Sequence, residues 1–192
     1  MSIRIEEESF DLLEEYATVP IAFLVRSLFR VDVPDAGLGG LRLIEEPVAS
    51  PWTKDYDTDE RPLRWRKRWD LSNWVMLSAY DGEERAGGAI VARKTPGVNF
   101  LDGRTDLAAL WDIRVAPARR GSGVGAALVE RAVTWSRSHG CLQLKIETQN
   151  INVPACRFYA AMGSRLSAIN LHAYSDLPDE VQLIWYLDLP RL

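Results

Sequence analysis

A glycine-rich segment in the third quarter of the chain has the composition of an anion-binding loop. It reads Arg120-Gly121-Ser122-Gly123-Val124-Gly125 and stands between an apolar run and a segment with helical spacing. Glycines let the backbone approach a ligand closely, and the N-terminus of a helix offers unpaired N–H groups with a partial positive charge. The segment therefore predicts a site for a phosphate or diphosphate group.

Two common nucleotide-binding loops fit these residues poorly. A P-loop requires Gly-Lys-Ser/Thr, whereas Gly125 is followed by Ala126 and Ala127. A dinucleotide-binding fingerprint that begins at Gly121 accepts Ala126 as its sixth residue, but too few βαβ units follow it to build a dinucleotide-binding domain. From these residues alone the phosphate ligand stays open, and a purely structural strand-turn-helix connection stays an alternative.

Changes of hydrophobic period predict the elements that must position this loop. In the first half of the chain, strands are predicted at 20–33, 41–46, 74–80 and 85–94. Asp81-Gly82 suits a tight turn between the last two strands, so these form a hairpin. Residues 47–72 mix Pro, Asp, Trp and Arg without strand alternation, which predicts a long loop or an irregular helix.

The second half alternates strands with helices. Strands are predicted at 107–115, 142–149, 165–172 and 181–188, with helices at 123–139 and from Asn152 to Gly163. Gly140 stands where the first helix would end, and Ala155, Phe158 and Met162 form the apolar stripe of the second. This order predicts an α/β fold with a mixed sheet.

A second motif follows the loop and adds a family resemblance. It reads Asn152-x-x-Ala155-x-x-Phe158-Tyr159-x-x-x-Gly163, while Val115-x-Pro117 precedes the loop. The two motifs in this order resemble the acetyl-CoA-binding segments of the GNAT superfamily of N-acetyltransferases, over about residues 74–188. The resemblance implies the GNAT fold, a central mixed, mostly antiparallel twisted sheet with helices on both faces. It also implies a single domain over 1–192, with an N-terminal part and acceptor-side loop at 1–72 and an acetyl-CoA-binding core at 73–192.

Within that superfamily, three segments are similar to the streptothricin acetyltransferases: Glu147–Cys156, Trp185-Tyr186 and Ser50–Tyr56. The similarity implies transfer of an acetyl group from acetyl-CoA to a primary amine of a small molecule, such as the β-lysine part of a cationic antibiotic. Two features depart from those enzymes. Basic residues stand where the relatives carry an acidic stretch, namely Arg61, Arg64, Arg66, Lys67 and Arg68, and Trp111 stands in place of a glutamate. Both departures suggest a less cationic acceptor, anionic or aromatic.

The resemblance also implies roles for individual residues. Main-chain N–H groups from Arg120 to Gly125 would bind the CoA pyrophosphate, and the backbones of Ile113 and Val115 would pair with the pantetheine arm like an added strand. Asn152 would hydrogen-bond the cofactor arm, or it caps the second helix. Tyr159 would protonate the departing thiolate, with a buried aromatic residue as its alternative role.

Amine attack also needs a base, because an ammonium group must lose a proton before it reacts. Asp112 on the predicted central strand and Glu147 on the next strand are the candidates for this role. For either carboxylate, a structural hydrogen bond or ion pair is an equally good interpretation. Alternation places Glu147 opposite the face formed by Leu142, Leu144 and Ile146.

The segment Arg61–Trp69 supports a rival interpretation. It mixes guanidinium groups with indole rings, a combination that stacks on bases and neutralises phosphates. An acyl-CoA-binding or RNA- or protein-docking protein without turnover is therefore the alternative function. A short helix that packs Trp65 and Trp69 inward, or a site for a phosphate-bearing acceptor or the CoA 3′-phosphate, would also explain the segment.

Composition bounds the remaining possibilities. The 192 residues carry 27 acidic and 23 basic side chains, a net charge of −4, which argues against general nucleic-acid binding. The acidic N-terminus and the short apolar runs predict neither a secretion signal nor a membrane span, and with two cysteines they favour the cytoplasm. Two histidines and two cysteines at irregular spacing predict no metal site, and a homodimer is left open.

Overall fold

The structure is a computed structural model, and it describes residues 3–58 and 60–189. The described residues fall into two units. The first contains those up to Ile21, Asp55–Ile146 and those from Tyr186 onward, and the second contains Ala22–Lys54 and Glu147–Trp185. That one acetyltransferase domain spans 1–192 stays a prediction.

The helices and strands follow the predicted order closely. They are β1 Ile3–Glu8, α1 Leu13–Tyr16, β2 Phe23–Asp32, β3 Arg42–Lys54, α2 Trp65–Arg68, β4 Val75–Asp81, β5 Glu84–Arg93, β6 Leu107–Val115, α3 Val124–Ser138, β7 Gln143–Gln149, α4 Val153–Ala161, β8 Arg165–Asn170 and β9 Gln182–Asp188. None of the described helices has the length and apolar composition needed to cross a bilayer.

Among the described residues, seven strands form one mixed sheet in the order β1-β4-β5-β6-β7-β9-β8, and β2 pairs with β3 in a separate ribbon. The pairs β1–β4, β4–β5 and β5–β6 are antiparallel, whereas β6 and β7 are parallel. The parallel pair is the one connected through α3, because a parallel connection needs a crossover. This is the α/β architecture that the sequence predicts.

In the first unit, strand alternation gives the sheet two apolar faces. Met76 and Ile90 belong to a buried cluster with Trp65 of α2 and Tyr16 of α1. Tyr16 lies so close to β5 that a Cβ on Gly88 would approach its ring to 2.5 Å. The small residue at this position is therefore required by the contact with α1.

Helix α3 packs on strands of the same unit and buries the predicted stripe. Val124, Leu128, Ala132 and Trp135 are all buried, and α3 contacts β4, β5 and β6. Gly140 follows the helix with φ +77°, the left-handed conformation predicted for its end. Helices thus cover both faces of the sheet, as expected.

A polar cluster joins β1 to β4 and β5. Glu8 accepts hydrogen bonds from Ser78 (2.6 Å) and Tyr80 (2.6 Å), and its Oε2 lies 2.9 Å from an Arg85 nitrogen. Burial raises the pKa of Glu8, but these donors outweigh it and hold the pKa below its ordinary value. The cluster therefore stabilises the charged carboxylate and fixes the first strand, which the sequence patterns had not indicated.

The second unit corrects one boundary. Residues 47–54 were predicted as part of a loop, but β3 extends to Lys54 and continues to pair with β2. Pro47 pairs with Ser27 where the register shifts, and the ribbon has only two strands, so each has an edge at which a missing N–H is tolerated. The remainder of the described residues, 55–58 and 60–72, forms the irregular helical segment that was the other expectation.

Candidate active site

The glycine-rich loop takes a backbone conformation that its glycines permit. Gly121 and Gly123 have φ +76° and +92°, and a Cβ on either would meet nothing within 4 Å among the described atoms. The first hydrogen bond into α3 runs from Ala127 N–H to Gly123 O (3.0 Å). The N–H groups that precede Ala127 in the first turn have no partner within the helix, as at any helix N-terminus. The loop therefore offers several N–H groups beside open space.

Arg120 of this loop and Arg119, which precedes it, stabilise the loop itself. Arg120 donates to Val115 O (3.1 Å) and Pro20 O (3.3 Å), and burial lowers its pKa. Arg119 pairs with Asp81 (2.8 Å) and Glu84 (3.2 Å). Ser122 Oγ donates to Arg119 O (2.6 Å), so its hydroxyl closes the turn. Contacts with an anion in this loop consequently rest on the main chain.

Alternate residues near the end of β6 direct their peptide groups away from β5. Ala116 N–H donates to Ala86 O (2.9 Å), so alternation directs the peptide groups of Arg114 toward β5 and those of Ile113 and Val115 toward the opposite edge. The paired register with β7 ends at Leu110↔Ile146. Ile113 and Val115 therefore present peptide groups beyond the end of that register, as the pantetheine hypothesis requires.

A β-bulge at Trp111 changes which side chains share a face of the sheet. The register of β5 against β6 shifts between Ile90↔Asp112 and Val91↔Leu110, so Trp111 is the extra residue. Bulges re-aim the side chains that follow them. As a result Asp112 reaches Tyr16 on the α1 face, which simple alternation from Leu110 would not give.

Asp112 lies in a dense polar network of the first unit. It accepts from the Tyr16 hydroxyl, and its two oxygens receive a two-pronged contact from Arg114 at 2.8 and 2.9 Å. Arg114 also bonds both oxygens of Asp57 at 3.0 Å and Val19 O at 3.2 Å. Burial opposes the charge of Arg114, but the hydrogen bonds and charge of Asp112 raise its pKa strongly. Asp112 is thus part of a buried ion pair, one of its two expected roles.

Glu147 has a different environment in the second unit. Its Oε1 accepts from Tyr174 (2.6 Å) and Gln149 (3.2 Å), and its Oε2 accepts from Gln182 (2.8 Å). All three donors are neutral, and Glu147 is only partly buried. Among the described residues, the contacts of this carboxylate are hydrogen bonds from neutral groups, and they fix its orientation.

Helix α4 carries the second motif. Asn152 Oδ1 accepts from Ala155 N–H (3.2 Å), which makes Asn152 the N-cap and leaves its Nδ2 as the atom with a donor role. Tyr159 is buried, with its ring centroid 5.1 Å from that of Phe158. The buried stripe is Val153, Cys156 and Tyr159, whereas the predicted Ala155, Phe158 and Met162 are only partly buried.

Both cysteines are free and buried. Burial raises the pKa of the Cys156 thiol to about 11, despite the hydrogen-bond contact with Thr148. The thiol is protonated near neutral pH, so it packs as a small apolar residue. Within 3–58 and 60–189, no three His, Cys, Asp or Glu residues form a cluster suited to a metal ion.

The basic segment folds as a short helix with its indoles against the core. Trp65 is buried, and Trp69 packs against the same cluster, where it meets Trp111 edge-on at 6.3 Å between ring centroids. Arg66 pairs with Asp11 (2.8 Å) and Arg68 with Glu60 (3.4 Å). The structural interpretation of this segment accounts for these contacts without a nucleic acid.

Several residues of these networks were missed by sequence reasoning. Tyr16, Asp57 and Arg114 surround Asp112, and Tyr174 and Gln182 surround Glu147. Of these residues, Arg114 alone could have been identified from the sequence, because it is a charged residue within an apolar strand. The others have no such signal: Tyr16 ends a short helix, and Asp57, Tyr174 and Gln182 are polar residues in connections or at the start of a strand.

Comparisons with known proteins agree with these motifs. Residues 41–163 match the family model of the GNAT acetyltransferases. A streptothricin acetyltransferase of Escherichia coli is 31% identical over 85% of this chain and 84% of its own length. Streptothricin acetyltransferase A of Bacillus subtilis is 30% identical over 74% of this chain and 76% of its own length.

Solved structures give the same result. A nourseothricin acetyltransferase superimposes with a TM-score of 0.77 at 26% identity, covering 99% of this chain and 100% of its own. A Bacillus anthracis protein assigned as a streptothricin acetyltransferase, solved with acetyl coenzyme A, has a TM-score of 0.78 at 25% identity, with 99% and 100% covered. The chain belongs to the GNAT acetyltransferase family and is an N-acetyltransferase whose cosubstrate is acetyl-CoA.

Proposed function

We propose that this chain acetylates a primary amine of a streptothricin-like antibiotic by direct attack of the amine on the thioester. The observation that carries the proposal is Glu147, a partly exposed carboxylate whose donors among the described residues are all neutral and which is suited to receive a proton from an ammonium group. The names of the relatives support the acceptor class.

The charge of the basic segment does not oppose this acceptor. The sequence suggests a less cationic substrate because arginines replace an acidic stretch. In the structure, Arg66 and Arg68 have carboxylate partners, and the guanidinium of Arg68 also lies 4.8 Å from the Trp69 ring centroid. Part of the positive charge is therefore compensated locally, and a cationic acceptor is compatible with it.

For the cosubstrate, we propose the loop Arg120–Gly125 as the pyrophosphate site. The open space at Gly121 and Gly123 and the N–H groups of the α3 N-terminus suit a diphosphate, which fits the helix dipole. The outward peptide groups of Ile113 and Val115 would pair with the pantetheine arm, whose amides resemble a peptide. Because Arg120 already occupies Val115 O, the N–H groups are the more available partners. Asn152 Nδ2 would donate to the same arm.

Of the two carboxylate candidates, we propose Glu147 as the base and assign Asp112 a structural role. A guanidinium contacts both oxygens of Asp112, and a compensated, buried carboxylate gains little by taking another proton. Among the described residues the donors to Glu147 are neutral, so taking a proton from the acceptor ammonium does not break an ion pair there. A direct transfer or one through a single water molecule would serve equally.

We propose Tyr159 as the acid that protonates the departing thiolate. Its position beside Phe158 supports a phenol that is shielded from bulk water. A phenol with an ordinary pKa near 10 and a thiol near 8.5 differ by only about 1.5 units, so modest local effects suffice for this transfer.

A thiol-release assay with acetyl-CoA and an amine panel that includes streptothricin tests the proposal. We expect turnover with streptothricin, and Tyr159→Phe should lower kcat by about 10²–10⁴-fold with the affinity for acetyl-CoA unchanged. Tyr80→Phe, which removes a hydroxyl from the Glu8 cluster instead, is the matched control. Turnover of simple amines but not of streptothricin would refute the acceptor, and full activity of Tyr159→Phe would refute the acid.

We also propose a cytoplasmic enzyme, because both cysteines are free thiols of the kind that a reducing compartment maintains. A homodimer is the assembly that we propose to test. Light scattering coupled to size-exclusion chromatography distinguishes it from the monomer of 21.6 kDa by a doubled mass.

A further inference from the structure

Three side chains from separate parts of the second unit surround Glu147. Gln149 ends β7, Gln182 begins β9, and Tyr174 belongs to the connection between β8 and β9. The Tyr174 hydroxyl makes the shortest of these contacts, 2.6 Å to Oε1, and it also accepts from Gln149 Nε2 at 2.9 Å. One hydroxyl therefore links the carboxylate, its neighbour on the strand and the connecting loop.

We propose that Tyr174 is a positioning residue for acetyl transfer: its hydroxyl fixes Oε1 of Glu147 and leaves Oε2 as the atom that receives the acceptor's proton. The inference rests on the proposed function, in which Glu147 is the base.

The number of hydrogen bonds on each oxygen of Glu147 indicates which one can receive the proton. A carboxylate offers about four acceptor positions, two on each oxygen. Tyr174 and Gln149 occupy both positions of Oε1, whereas Gln182 occupies one position of Oε2. In the step, an N–H bond of the ammonium breaks, its proton goes to Oε2, and the electron pair stays on the nitrogen for attack on the thioester.

Tyr174 keeps its own proton while it does this. Burial, and then the negative charge of Glu147, raise the pKa of Tyr174 well above its ordinary value. The hydroxyl therefore donates throughout the pH range in which an acetyltransferase works. It holds Glu147 without competing for the transferred proton.

The charged groups around this cluster are themselves paired. Glu180, on the loop after Tyr174, contacts Lys54 at 2.7 Å, and both side chains are largely buried. On β7 itself, Lys145 contacts Asp102 at 2.8 Å. Replacing the Tyr174 hydroxyl leaves these ion pairs in place, so a change in pH dependence can be attributed to the hydrogen bond with Glu147.

The experiment compares Tyr174→Phe with the wild type, using acetyl-CoA and the best amine of the panel, from about pH 4 to about pH 9. Losing a donor disfavours the charged carboxylate, so the acid limb of kcat should move up by about one pH unit, and at pH values below both limbs kcat should fall by about tenfold. Above the limb, kcat should return to within about twofold of the wild type, and the KM for acetyl-CoA should not change.

Tyr186→Phe is the matched control, because its hydroxyl lies 3.4 Å from Asp102 and does not contact Glu147. Gln182→Met, which removes the donor to Oε2, should move the limb in the same direction, and melting temperatures of all variants report folding. If Tyr174→Phe does not fold, Tyr174→Met, which also removes the hydroxyl, is compared in its place. A loss equal at every pH, or an unmoved limb, would overturn the positioning role.

The variant Glu147→Gln distinguishes a failure of the base assignment from a failure of the positioning role of Tyr174. If Glu147→Gln keeps wild-type turnover, the base assignment fails, and the inference about Tyr174 fails with it. If Glu147→Gln is inactive but Tyr174→Phe has the wild-type pH profile, only the positioning role is wrong.

Discussion

Gly123→Ala tests whether the mouth of α3 binds the diphosphate of acetyl-CoA. Gly123 has φ +92°, a conformation that raises the energy of an alanine by about 1–2 kcal/mol. A Cβ there meets nothing within 4 Å, so steric contact within the protein adds nothing to this cost. In a protein of this length the melting temperature should fall by about 2–4 °C for each kcal/mol.

Gly140 provides a control that separates strain from binding. It has φ +77° at the other end of α3, and a Cβ on it also meets nothing within 4 Å. Gly140→Ala should therefore destabilise the protein by a similar amount, about 1–2 kcal/mol.

The two variants should differ in their affinity for CoA. The new methyl group of Gly123→Ala occupies the space proposed for the phosphate, and loss of one hydrogen bond to a charged group is worth about 1.5–3 kcal/mol. This predicts a Kd for CoA raised by about 10–150-fold, against no change for Gly140→Ala. Calorimetric titration with CoA measures the change in Kd, and thermal melting measures the loss of stability in both variants. Equal affinity of Gly123→Ala and the wild type would refute the loop as the pyrophosphate site.

Two further predictions concern the buried polar networks. Burial raises the pKa of Glu8 but its donors lower it by more, so Glu8→Gln should lose about 1.5–3 kcal/mol of stability at neutral pH. The stabilisation by Glu8 is fully present above the unfolded pKa near 4.3 and disappears as the pH falls through the lower folded pKa. Urea denaturation at about pH 3 should therefore give a smaller difference in unfolding free energy between Glu8→Gln and the wild type. An undiminished difference at that pH would contradict this. Arg114→Met leaves two carboxylates without their guanidinium and should cost about 3–5 kcal/mol, more than Asp57→Asn, which keeps the Asp112 pair. Equal losses in urea denaturation would mean that the network does not depend on Arg114.

Local signals predicted most of the fold. The strand at Leu107–Val115, the helix stripe of α3 and the left-handed Gly140 all follow from residue spacing over a few neighbours. The end of β3 could not be predicted in this way. Pro47 and Pro51 weaken any strand pattern, and only pairing with β2 keeps the segment extended.

The residues of the candidate site also fall into those that the sequence predicts and those that it does not. Sequence spacing places the loop before α3 and Asn152 and Tyr159 on α4, because a motif within one loop or helix fixes its own geometry. It could not choose between Asp112 and Glu147, since both are carboxylates on strands. Their difference lies in their donors, a guanidinium for Asp112 and neutral groups for Glu147.

The sequence by itself determined the element order, the anion-binding composition of the loop before α3 and the family resemblance, since each depends on residues close together along the chain. Only the tertiary structure decided which groups surround each carboxylate. Tyr16 reaches Asp112 across 96 positions and Tyr174 reaches Glu147 across 27, and the bulge at Trp111 sets the face on which Asp112 lies. A side chain's chemistry depends on its neighbours in space, and those neighbours come from segments that only folding brings together.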